Sequence, residues 1–538
     1  MRKDYWKIKA DCRGLSANEI ADKILSVRGI TDVNDFLYPS EIHILPASEL
    51  KNIESASNLF IEGIHSNKKF LIYADVDVDG CTSAAIIYHY LKHFDLDIVT
   101  HINNGKDHGI QSDFEPSDDI DIIIVVDSIN NEVAPYLRLL ESGKKLIVLD
   151  HHVPTDDVLN IQKDINLVSS ANDYANPYLS GSGVCWKFVT YIDSILNTNY
   201  AEELCDLAAT GIIADVSDVG INAMENRAIC NKGFKYINNV GLRTLAGKDE
   251  LDALTIGFTV GPMINAANRM NCNEIALQLF LTDAQSEAKQ YHKQLKKTKE
   301  LQKELVTKQF VNIEEEAALQ KDYKVMFFFV DKNENLSGLL ATKASSKWNK
   351  PCIVLNTNDP ENYSGSMRAT DNINLRQLIN DSQLADCQGH PCSAGITIPR
   401  NNLKSLCDYL ENKLESHKDT HLEIDVRLDQ GQITSFLMHK LLSINRITGV
   451  GFNPVTVLIE DIKRYVVKQL SGGKHLCVNS GQMNYIQWNF DAWDSIIEEA
   501  TFSAVGHLEE SFFAGKYSTQ LLLEDYVFST TPQSVVLW

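Results

Sequence analysis

The sequence lacks any long hydrophobic run. Among its 538 residues no uninterrupted apolar stretch exceeds five or six, whereas a membrane-spanning helix needs about 20. Positive charge is also scarce, with 50 Lys and Arg against 72 Asp and Glu, which gives a net charge of −22. That balance argues against a protein that coats nucleic acid through charge alone. It still allows an enzyme whose basic residues are confined to one groove.

Paired cysteines are missing as well. The eleven cysteines form no CxxC pair, and Cys387, His390 and Cys392 do not have the spacing of a structural zinc site. The first 13 residues are charged and aromatic, without the apolar segment of a secretion signal. We therefore expect reduced cysteines, a cytoplasmic location and no membrane partner.

The chain is long enough for two to four domains. Continuous apolar strands that alternate with helices predict a parallel α/β sheet, because such strands are buried on both faces. A helix rich in charged residues follows, then a second α/β unit, then a β-rich region consistent with a small barrel or sandwich. The predicted segments are an N-terminal extension at 1–55, the first α/β domain at 56–274, the connecting helix at 275–320, the second α/β domain at 321–418 and the β domain at 419–538.

Acidic residues follow three of the predicted strands. In a parallel sheet the carboxyl ends of the strands meet at one edge, and ligands bind there. An apolar helix predicted over 207–214 brings another carboxylate, Asp215. The strands are 70–74, 122–126 and 146–149, and the polar residues that follow them are Asp75, Asp77 and Asp79, then Asp127, then Asp150, His151 and His152.

Several carboxylates at one edge repel each other unless protons or cations neutralise them. Ligation by both Asp and His suits Mn²⁺ or a similar ion better than Ca²⁺. The number of ligands fits two metals, a recurring arrangement for phosphoester cleavage. The alternative for any single aspartate is that it caps the next helix. Three aspartates at alternate positions before Gly80 are harder to explain in that way.

These residues resemble the motifs of the DHH phosphoesterase superfamily and, within it, of the RecJ-like single-strand-specific exonucleases. The resemblance covers nearly the whole chain. The matching residues are Asp75-x-Asp77-x-Asp79-Gly80, Asp127, Asp150-His151-His152, Ala214-Asp215, Gly261-Pro262-Met263-Ile264-Asn265-Ala266 with Arg269-Met270, Ser364-Gly365-Ser366-x-Arg368, and Gly389-His390-x-x-Ser393-Ala394-Gly395.

The resemblance implies a parallel-sheet DHH catalytic domain, a DHH-associated domain beyond the long helix, and a C-terminal oligonucleotide-binding (OB-like) barrel. It also implies two divalent ions, with Mn²⁺ preferred and Mg²⁺ as the alternative. One ion would bind Asp75, Asp77 and Asp127. The other would bind Asp79, Asp127, His151 and Asp215, so that Asp127 bridges the two.

The remaining roles are likewise implied by the resemblance. His152 would contact the scissile phosphate, and Asp150 would orient the histidines. The residues implied to hold the phosphate or the DNA backbone are Arg269, Arg368, His390, Ser366 and Asn265. The implied activity is 5′-to-3′ exonuclease action on single-stranded DNA in repair or recombination, with a helicase or a single-strand-binding protein as candidate partners.

The chain departs from the RecJ-like pattern at several positions. These are Ser128 and Ile129 after Asp127, Asn268 before Arg269, Gln388 before Gly389, and Ser393. None of them removes an implied metal ligand, but they put the shape of the substrate channel in doubt.

Two other functions remain open from the sequence: a phosphoesterase of short oligonucleotides or cyclic dinucleotides, and an inactive nucleic-acid-binding scaffold. The C-terminal β region favours a long substrate, since aromatic side chains beside basic ones can stack on unpaired bases. The candidate side chains in this region are Tyr465, Tyr485, Trp488, Phe490 and Trp493, with Lys463, Arg464, Lys468 and Lys474. Ordinary strand packing is the alternative explanation for them.

Overall fold

The computed structural model describes residues 5–103, 108–330, 334–370, 373–414, 421–490, 492–493, 496, 501–513 and 516–529. The chain divides into two compact units. Unit 1 comprises residues 1–264, 276–292 and 420–538, and unit 2 comprises residues 265–275 and 293–419. The predicted boundary at 418–419 lies outside the described residues. None of the described helices combines the length and the apolar character that a membrane span requires.

Strands are numbered in chain order. They are β1 Trp6–Asp11, β2 Phe70–Ala74, β3 Ile98–Ile102, β4 Ile122–Val126, β5 Lys145–Asp150, β6 Leu167–Ser169, β7 Met326–Val330, β8 Cys352–Asn356, β9 Asn362–Arg368, β10 Asp386–His390, β11 Ser393–Pro399, β12 Leu422–Asp429, β13 Thr456–Ile462, β14 Val466–Leu470, β15 His475–Asn479, β16 Asn484–Gln487, β17 Thr501–Phe513 and β18 Lys516–Ser529.

Helices are numbered in the same way. They are α1 Ala17–Val27, α2 Val33–Leu37, α3 Ile53–His65, α4 Val78–Lys92, α5 Ala134–Glu141, α6 Asp156–Asn160, α7 Gly181–Leu196, α8 Cys205–Ala214, α9 Met224–Gly233, α10 Val240–Ala246, α11 Ala253–Thr255, α12 Gly261–Arg269, α13 Asn273–Leu281, α14 Gln285–Ala318, α15 Ser337–Trp348, α16 Leu375–Asp381, α17 Leu403–Lys413 and α18 Ser435–Ile444.

The predicted parallel sheet is present in unit 1. Its strand order is β3-β2-β4-β5-β6, and every neighbouring pair is parallel. Strands β2 and β4 are buried at every position, as expected for a sheet covered on both faces. The chain moves outward from β2 to β3 and then returns past β2 to β4. The strand order therefore reverses between β2 and β4, where α/β folds place ligands.

A second sheet lies in unit 2, with the order β10-β11-β9-β8-β7. The predicted strands β7 and β8 are present and parallel, whereas β9, β10 and β11 are antiparallel to their neighbours. Both faces are apolar: Ile353, Met367 and Ile396 lie in one core cluster, and Phe328 and Val354 lie in another. The second α/β unit is therefore a mixed sheet.

The C-terminal β-rich region is confirmed, and it includes a strand that the sequence did not predict there. Its eight strands follow the order β1-β12-β13-β17-β18-β16-β15-β14. Strand β1 comes from the predicted N-terminal extension and pairs in parallel with β12, where Trp6 lies opposite Leu422. The N-terminal residues thus complete the C-terminal sheet. Sequence periodicity alone does not reveal a partner 416 positions away.

The predicted connecting helix over 275–320 consists of two helices. Helix α13 ends at Leu281, and the 34-residue α14 begins at Gln285. Thr282 accounts for the break, because its hydroxyl donates to Glu287 Oε2 and accepts a hydrogen bond from the Ala284 N–H. Such local side-chain hydrogen bonds compete with the helical ones.

Candidate metal centre

Carboxylates gather at the carboxyl edge of the parallel sheet, as the sequence predicted. Asp75 directly follows β2, Asp127 follows β4, and Asp150 is the last residue of β5. All three side chains are buried. Asp127 has a positive φ of 52°, a backbone conformation that aspartate tolerates better than most residues.

Asp77 caps a helix, which was the alternative role for any single aspartate, and it also lies beside other acids. It is the N-cap of α4, where its Oδ1 accepts a hydrogen bond from the Gly80 N–H at 3.0 Å. Its carboxylate also lies within 4.8 Å of those of Asp75 and Asp127. Capping and metal ligation are compatible, since a carboxylate has several acceptor positions.

Asp79 is held by the start of a second helix. Its oxygens accept hydrogen bonds from the Gly181 N–H at 2.7 Å and the Ser182 N–H at 3.0 Å, in the first turn of α7. A helix N-terminus stabilises a negative charge. A Cβ on Gly181 would lie 2.8 Å from Asp127 Cβ, and one on Gly211 of α8 would overlap with Asp79 Oδ1. Glycine is therefore required at both positions for these helices to approach the acids.

Asp215 reaches the site from the end of α8, where it is the C-cap residue. The next residue, Val216, has a φ of 59°, and its side chain is 63% exposed. A left-handed conformation is unusual for a β-branched residue. It allows the N–H groups of Val216 and Ser217 to bond to the last carbonyls of the helix, those of Ile213 and Ile212.

His151 and His152 follow Asp150, which fixes both of them. Asp150 Oδ1 accepts hydrogen bonds from the backbone N–H of His151 at 2.6 Å and of His152 at 2.8 Å, and it lies 2.9 Å from His152 Nδ1. Its other oxygen accepts the Ile129 N–H at 2.7 Å. The predicted orienting contact from Asp150 is therefore present for His152, while His151 is held through its backbone.

The acidic and imidazole groups fit divalent ions. Asp127 Oδ1 and His151 Nε2 are buried and, among the described residues, make no hydrogen bond, although they lie 3.2 Å apart. Unsatisfied buried polar atoms require a partner, and a cation between them would provide one. In the part of the chain that the structure describes, three groups have ligand atoms within 4.8 Å of one another: Asp75, Asp77 and Asp127; Asp79, His151 and Asp215; and Asp127, Asp150, His151 and His152.

The proton affinities of these acids reflect their crowding. Burial, followed by the charges of Asp75 and Asp79, raises the pKa of Asp77 to about 7. Burial and the charge of Asp79 also raise the pKa of Asp127, and they raise that of Asp215 to about 6. Without a cation these carboxylates compete for protons at neutral pH.

In the Asp150–His152 pair the pKa shifts favour the charged forms of both side chains. Burial acts to raise the pKa of Asp150, but the charge and the hydrogen bond of His152 outweigh it and lower the pKa to about 2. Burial acts to lower the pKa of His152, but Asp150 raises it to about 9. His152 is therefore a cationic donor beside the acids at neutral pH.

His108 also reaches this site, although it was not among the predicted site residues. Its Nδ1 lies 3.2 Å from Asp75 Oδ2, and its ring centroid lies 5.3 Å from that of His152. It follows β3, which is parallel to β2. The sequence did not predict β3 as a strand, so the residues that follow it, His108 among them, were not expected at this edge.

The predicted phosphate-binding residues lie in unit 2. Asn265 and Arg269 are one turn apart on α12, and Ser366 and Arg368 point to one face of β9. Burial lowers the pKa of both arginines, and the charge of Arg368 lowers that of Arg269 further. Within the described residues neither guanidinium has a carboxylate ion-pair partner. Two partly buried cations that repel each other form a site suited to an anion.

Two further observations concern the same face. Ser366 Oγ lies 2.9 Å from Ser337 Oγ at the start of α15, and Gly338 leaves room for the Arg368 guanidinium. Ser393 of β11 lies opposite both Arg368 of β9 and His390 of β10. Residues paired across strands point to one face. The structure therefore brings His390 to the arginine side of the sheet, where it is exposed.

Comparisons with known proteins identify the family. The model of the DHH family N-terminal domain matches residues 69–212, and the DHHA1 domain model matches residues 320–416. YorK, a putative SPbeta prophage-derived single-strand DNA-specific exonuclease of Bacillus subtilis, is 32% identical over 445 residues, which are 75% of each chain. The chain belongs to the DHH family, in its RecJ-like branch.

Other RecJ-like DHH proteins align over more of the chain. The single-stranded-DNA-specific exonuclease RecJ of Bacillus subtilis is 24% identical over 564 residues, covering 98% of this chain and 70% of the relative. The crystal structure of Thermus thermophilus RecJ in complex with Mn²⁺ has a TM-score of 0.76 at 22% identity, covering 98% of this chain and 80% of that one. This similarity shows a shared fold.

In this DHH chain most of the aromatic candidates of the β-rich region belong to the core. Tyr485 and Phe490 are buried, and Tyr465 and Trp493 pack against that core. Trp493 also donates to the Gly473 carbonyl at 3.0 Å. For these four residues the structure supports the alternative explanation, which is ordinary strand packing. Trp488 remains 49% exposed, and the basic candidates are exposed as well: Lys463, Arg464, Lys468 and Lys474.

Proposed function

We propose that this protein is a metal-dependent exonuclease that hydrolyses single-stranded DNA, in the 5′-to-3′ direction. The observation that carries the proposal is the buried cluster of aspartates and His151 at the sheet edge, with its unsatisfied atoms on Asp127 and His151. The chain also contains both domains of the family, and its relatives YorK and RecJ are named as single-strand-specific exonucleases.

The donor set suits two ions, with Mn²⁺ preferred because both carboxylate and imidazole ligands are present. Asp75 and Asp77 would hold one, and Asp79, His151 and Asp215 the other, with Asp127 between them. When bound, such ions lower the pKa of a water molecule and stabilise charge on the attacked phosphate. The N-terminus of α7 would keep Asp79 in place through its two backbone hydrogen bonds.

His152 is suited to hold the scissile phosphate. Its ring, oriented by Asp150, would donate a hydrogen bond to a phosphate oxygen, and hydrogen bonds to a charged phosphate are stronger than neutral ones. Asp150 is buried and fully occupied with donors. We therefore assign Asp150 to orientation of the site and not to metal ligation.

The cationic face of unit 2 would bind the DNA backbone. Arg269 and Arg368 present guanidinium groups that match phosphate oxygens, and Ser366 adds a hydroxyl. Asn265 lies one turn before Arg269 on α12, His390 lies on β10 of the same sheet as Arg368, and both would extend the contact. A phosphate would relieve the repulsion between the two arginines, which gives the site a physical reason to select an anion.

The C-terminal sheet is proposed as an OB-like domain that favours unpaired DNA. Exposed Trp488 could stack on a base, and the exposed cations of β14 and its neighbouring turns could follow the backbone. Such an enzyme would act in the cytoplasm in DNA repair or recombination, with a helicase or a single-strand-binding protein as a candidate partner.

The test uses purified protein, Mn²⁺ and a long single-stranded DNA labelled at its 5′ or its 3′ end. We expect early release of short labelled products from the 5′-labelled strand. Asp127→Ala should abolish release, whereas the exposed Asp164→Ala should cleave at the wild-type rate. Early release from the 3′-labelled strand would refute the polarity. Cleavage of dinucleotides but not of long strands would refute the substrate class.

A further inference from the structure

The segment that carries His108 is anchored directly to the metal centre. The Gly109 N–H donates to Ser128 Oγ at 2.9 Å, and the Ile110 N–H donates to Asn130 Oδ1 at 2.8 Å. Both acceptors lie just after Asp127. Gly109 has a φ of 84°, and a Cβ there would overlap with the Asn130 side chain. The close approach therefore depends on glycine.

A third anchor of this segment is Tyr73 on strand β2. The Tyr73 hydroxyl accepts the Gln111 N–H at 3.1 Å and lies 3.2 Å from the Gly109 carbonyl. Tyr73 is buried, two residues before Asp75. Residues 109–111 are thus tied to the strands that carry two metal-ligand candidates, so the position of His108 is set by the same framework.

Ser128 is one of the departures from the RecJ-like pattern, and it has a structural role in this chain. It occupies the position after Asp127, where its buried hydroxyl receives the Gly109 N–H. A smaller residue there would leave that N–H without this acceptor. Ser128 therefore helps to fix the position of the segment that carries His108.

The contact between His108 and Asp75 leaves the carboxylate able to bind a metal. Nδ1 lies 3.2 Å from Oδ2, and a contact at Oδ2 leaves Oδ1 for coordination. A carboxylate has acceptor positions on both oxygens. A donor behind a ligand fixes the orientation of that ligand, and loss of such a donor commonly weakens metal binding by about 10- to 100-fold.

We propose that His108 is a positioning residue of the metal centre, which donates from Nδ1 to Asp75 and holds that carboxylate in its coordinating orientation. The site then contains two carboxylate–histidine pairs. In one, Asp150 orients His152. In the other, His108 orients Asp75. The inference rests on the proposed metal-dependent function, because it assigns Asp75 to a metal.

The experiment measures Mn²⁺ binding without DNA, by electron paramagnetic resonance of the free ion at fixed pH. We compare wild type, His108→Ala and His108→Asn, whose side-chain amide nitrogen can replace Nδ1 as the donor. The exposed His65→Ala serves as the matched control. Circular dichroism melting of the metal-free variants verifies that each is folded.

His108→Ala should weaken the binding of Mn²⁺ by about tenfold or more, and His108→Asn should restore most of it. In cleavage assays the alanine variant should lose kcat while the KM for DNA stays unchanged, since His108 acts through Asp75. Ser128→Ala should show a smaller loss in the same direction, because it removes one anchor of the segment.

Wild-type Mn²⁺ affinity in His108→Ala would overturn the inference, and so would an asparagine variant as weak as the alanine variant. A failure of the proposed nuclease function would give a different result from a failure of the inference about His108. If the wild-type protein binds Mn²⁺ but cleaves no DNA, the nuclease assignment falls, while the binding comparison still tests His108.

Discussion

At the residue scale, the candidate metal centre has a strained backbone conformation beside one of its acids. Val216 follows the metal-ligand candidate Asp215 with a φ of 59°, and its side chain is largely exposed. Burial therefore does not offset the strain of a β-branched residue in this conformation. Strain of this kind is commonly found beside functional sites.

Val216→Gly should therefore stabilise the metal-free protein by about 1 kcal/mol, because glycine adopts this φ without a Cβ clash. Urea unfolding followed by tryptophan fluorescence measures the change. Val216→Ala removes most of the same side chain but keeps Cβ, so it should gain less. Equal effects of the two substitutions would mean that side-chain exposure, and not backbone strain, sets the stability.

Gly211 determines how closely α8 approaches the acids. A Cβ at this position would overlap with Ser182 Oγ and Asp79 Oδ1. Gly211→Ala should lower the free energy of unfolding by about 1–3 kcal/mol and should weaken Mn²⁺ binding by displacing Asp79. Gly257→Ala is the matched control, because a Cβ there meets nothing within 4 Å. Wild-type Mn²⁺ affinity in Gly211→Ala would contradict the packing argument.

At the element scale, the sequence predicted those strands whose pattern is unambiguous. Strands β2, β4 and β5 are continuous apolar runs, and their ends located seven of the acidic and histidine candidates. Strand β3 was missed because Ile98–Ile102 includes Thr100 and His101 and is half-buried at most positions. Because β3 was not predicted, His108, which follows it, was not predicted as a site residue either. The glycines beside Asp79 were missed for another reason, since their role depends on helices that meet only in three dimensions.

Arg227 connects three segments of the chain that are distant from one another in the sequence. Arg227 of α9 is buried and donates to the carbonyls of Phe36 at 2.5 Å and of Val219 and Ile447 at 3.0 Å each. Its guanidinium also lies 3.7 Å from the centroid of the Phe36 ring. Val219 lies shortly after Asp215, so this contact links the metal-ligand segment to the N-terminal region and to the β-rich region.

Arg227→Met should lower the free energy of unfolding by at least about 3 kcal/mol, because three buried carbonyls lose their donor at about 1–3 kcal/mol each. Urea unfolding of the metal-free protein provides the measurement. Arg13→Met is the control: Arg13 is an exposed residue paired with Asp11, and its replacement should leave unfolding unchanged. A loss no larger than that of the control would show that the carbonyls find other donors.

At the scale of the whole molecule, long-range pairing marks the limit of what the sequence could predict. The cluster of acids could be predicted because one rule, that parallel strands end at one edge of a sheet, applies without knowledge of which strands are neighbours. The pairing of β1 with β12 follows no such rule, since a polar edge strand is compatible with many partners. Similarly, the aromatic residues of the C-terminal region could not be divided into core and surface until the sheet order was known.

The crowded acids make the stability of the whole chain depend on pH and on metal together. In the metal-free protein the pKa values of Asp77 and Asp215 are raised to about 7 and about 6, and that of Asp127 is also raised. Between pH 4 and pH 7 these groups therefore bind more protons in the folded state than in the unfolded state. Their contribution to stability is largest near pH 4 and decreases as the pH rises through that range.

Mn²⁺ should reverse this loss, because it replaces the protons that neutralise the acids. We expect the increase in Tm on adding Mn²⁺ to be clearly larger at pH 8 than at pH 5.5, where protons compete for Asp77 and Asp127. Thermal unfolding with and without Mn²⁺ at both pH values gives the comparison. Asp127→Ala, which lacks the shared ligand, should lose most of the increase at pH 8. An equal increase at both pH values would show that the metal binds outside the crowded cluster, since only ligands with raised pKa values produce the difference.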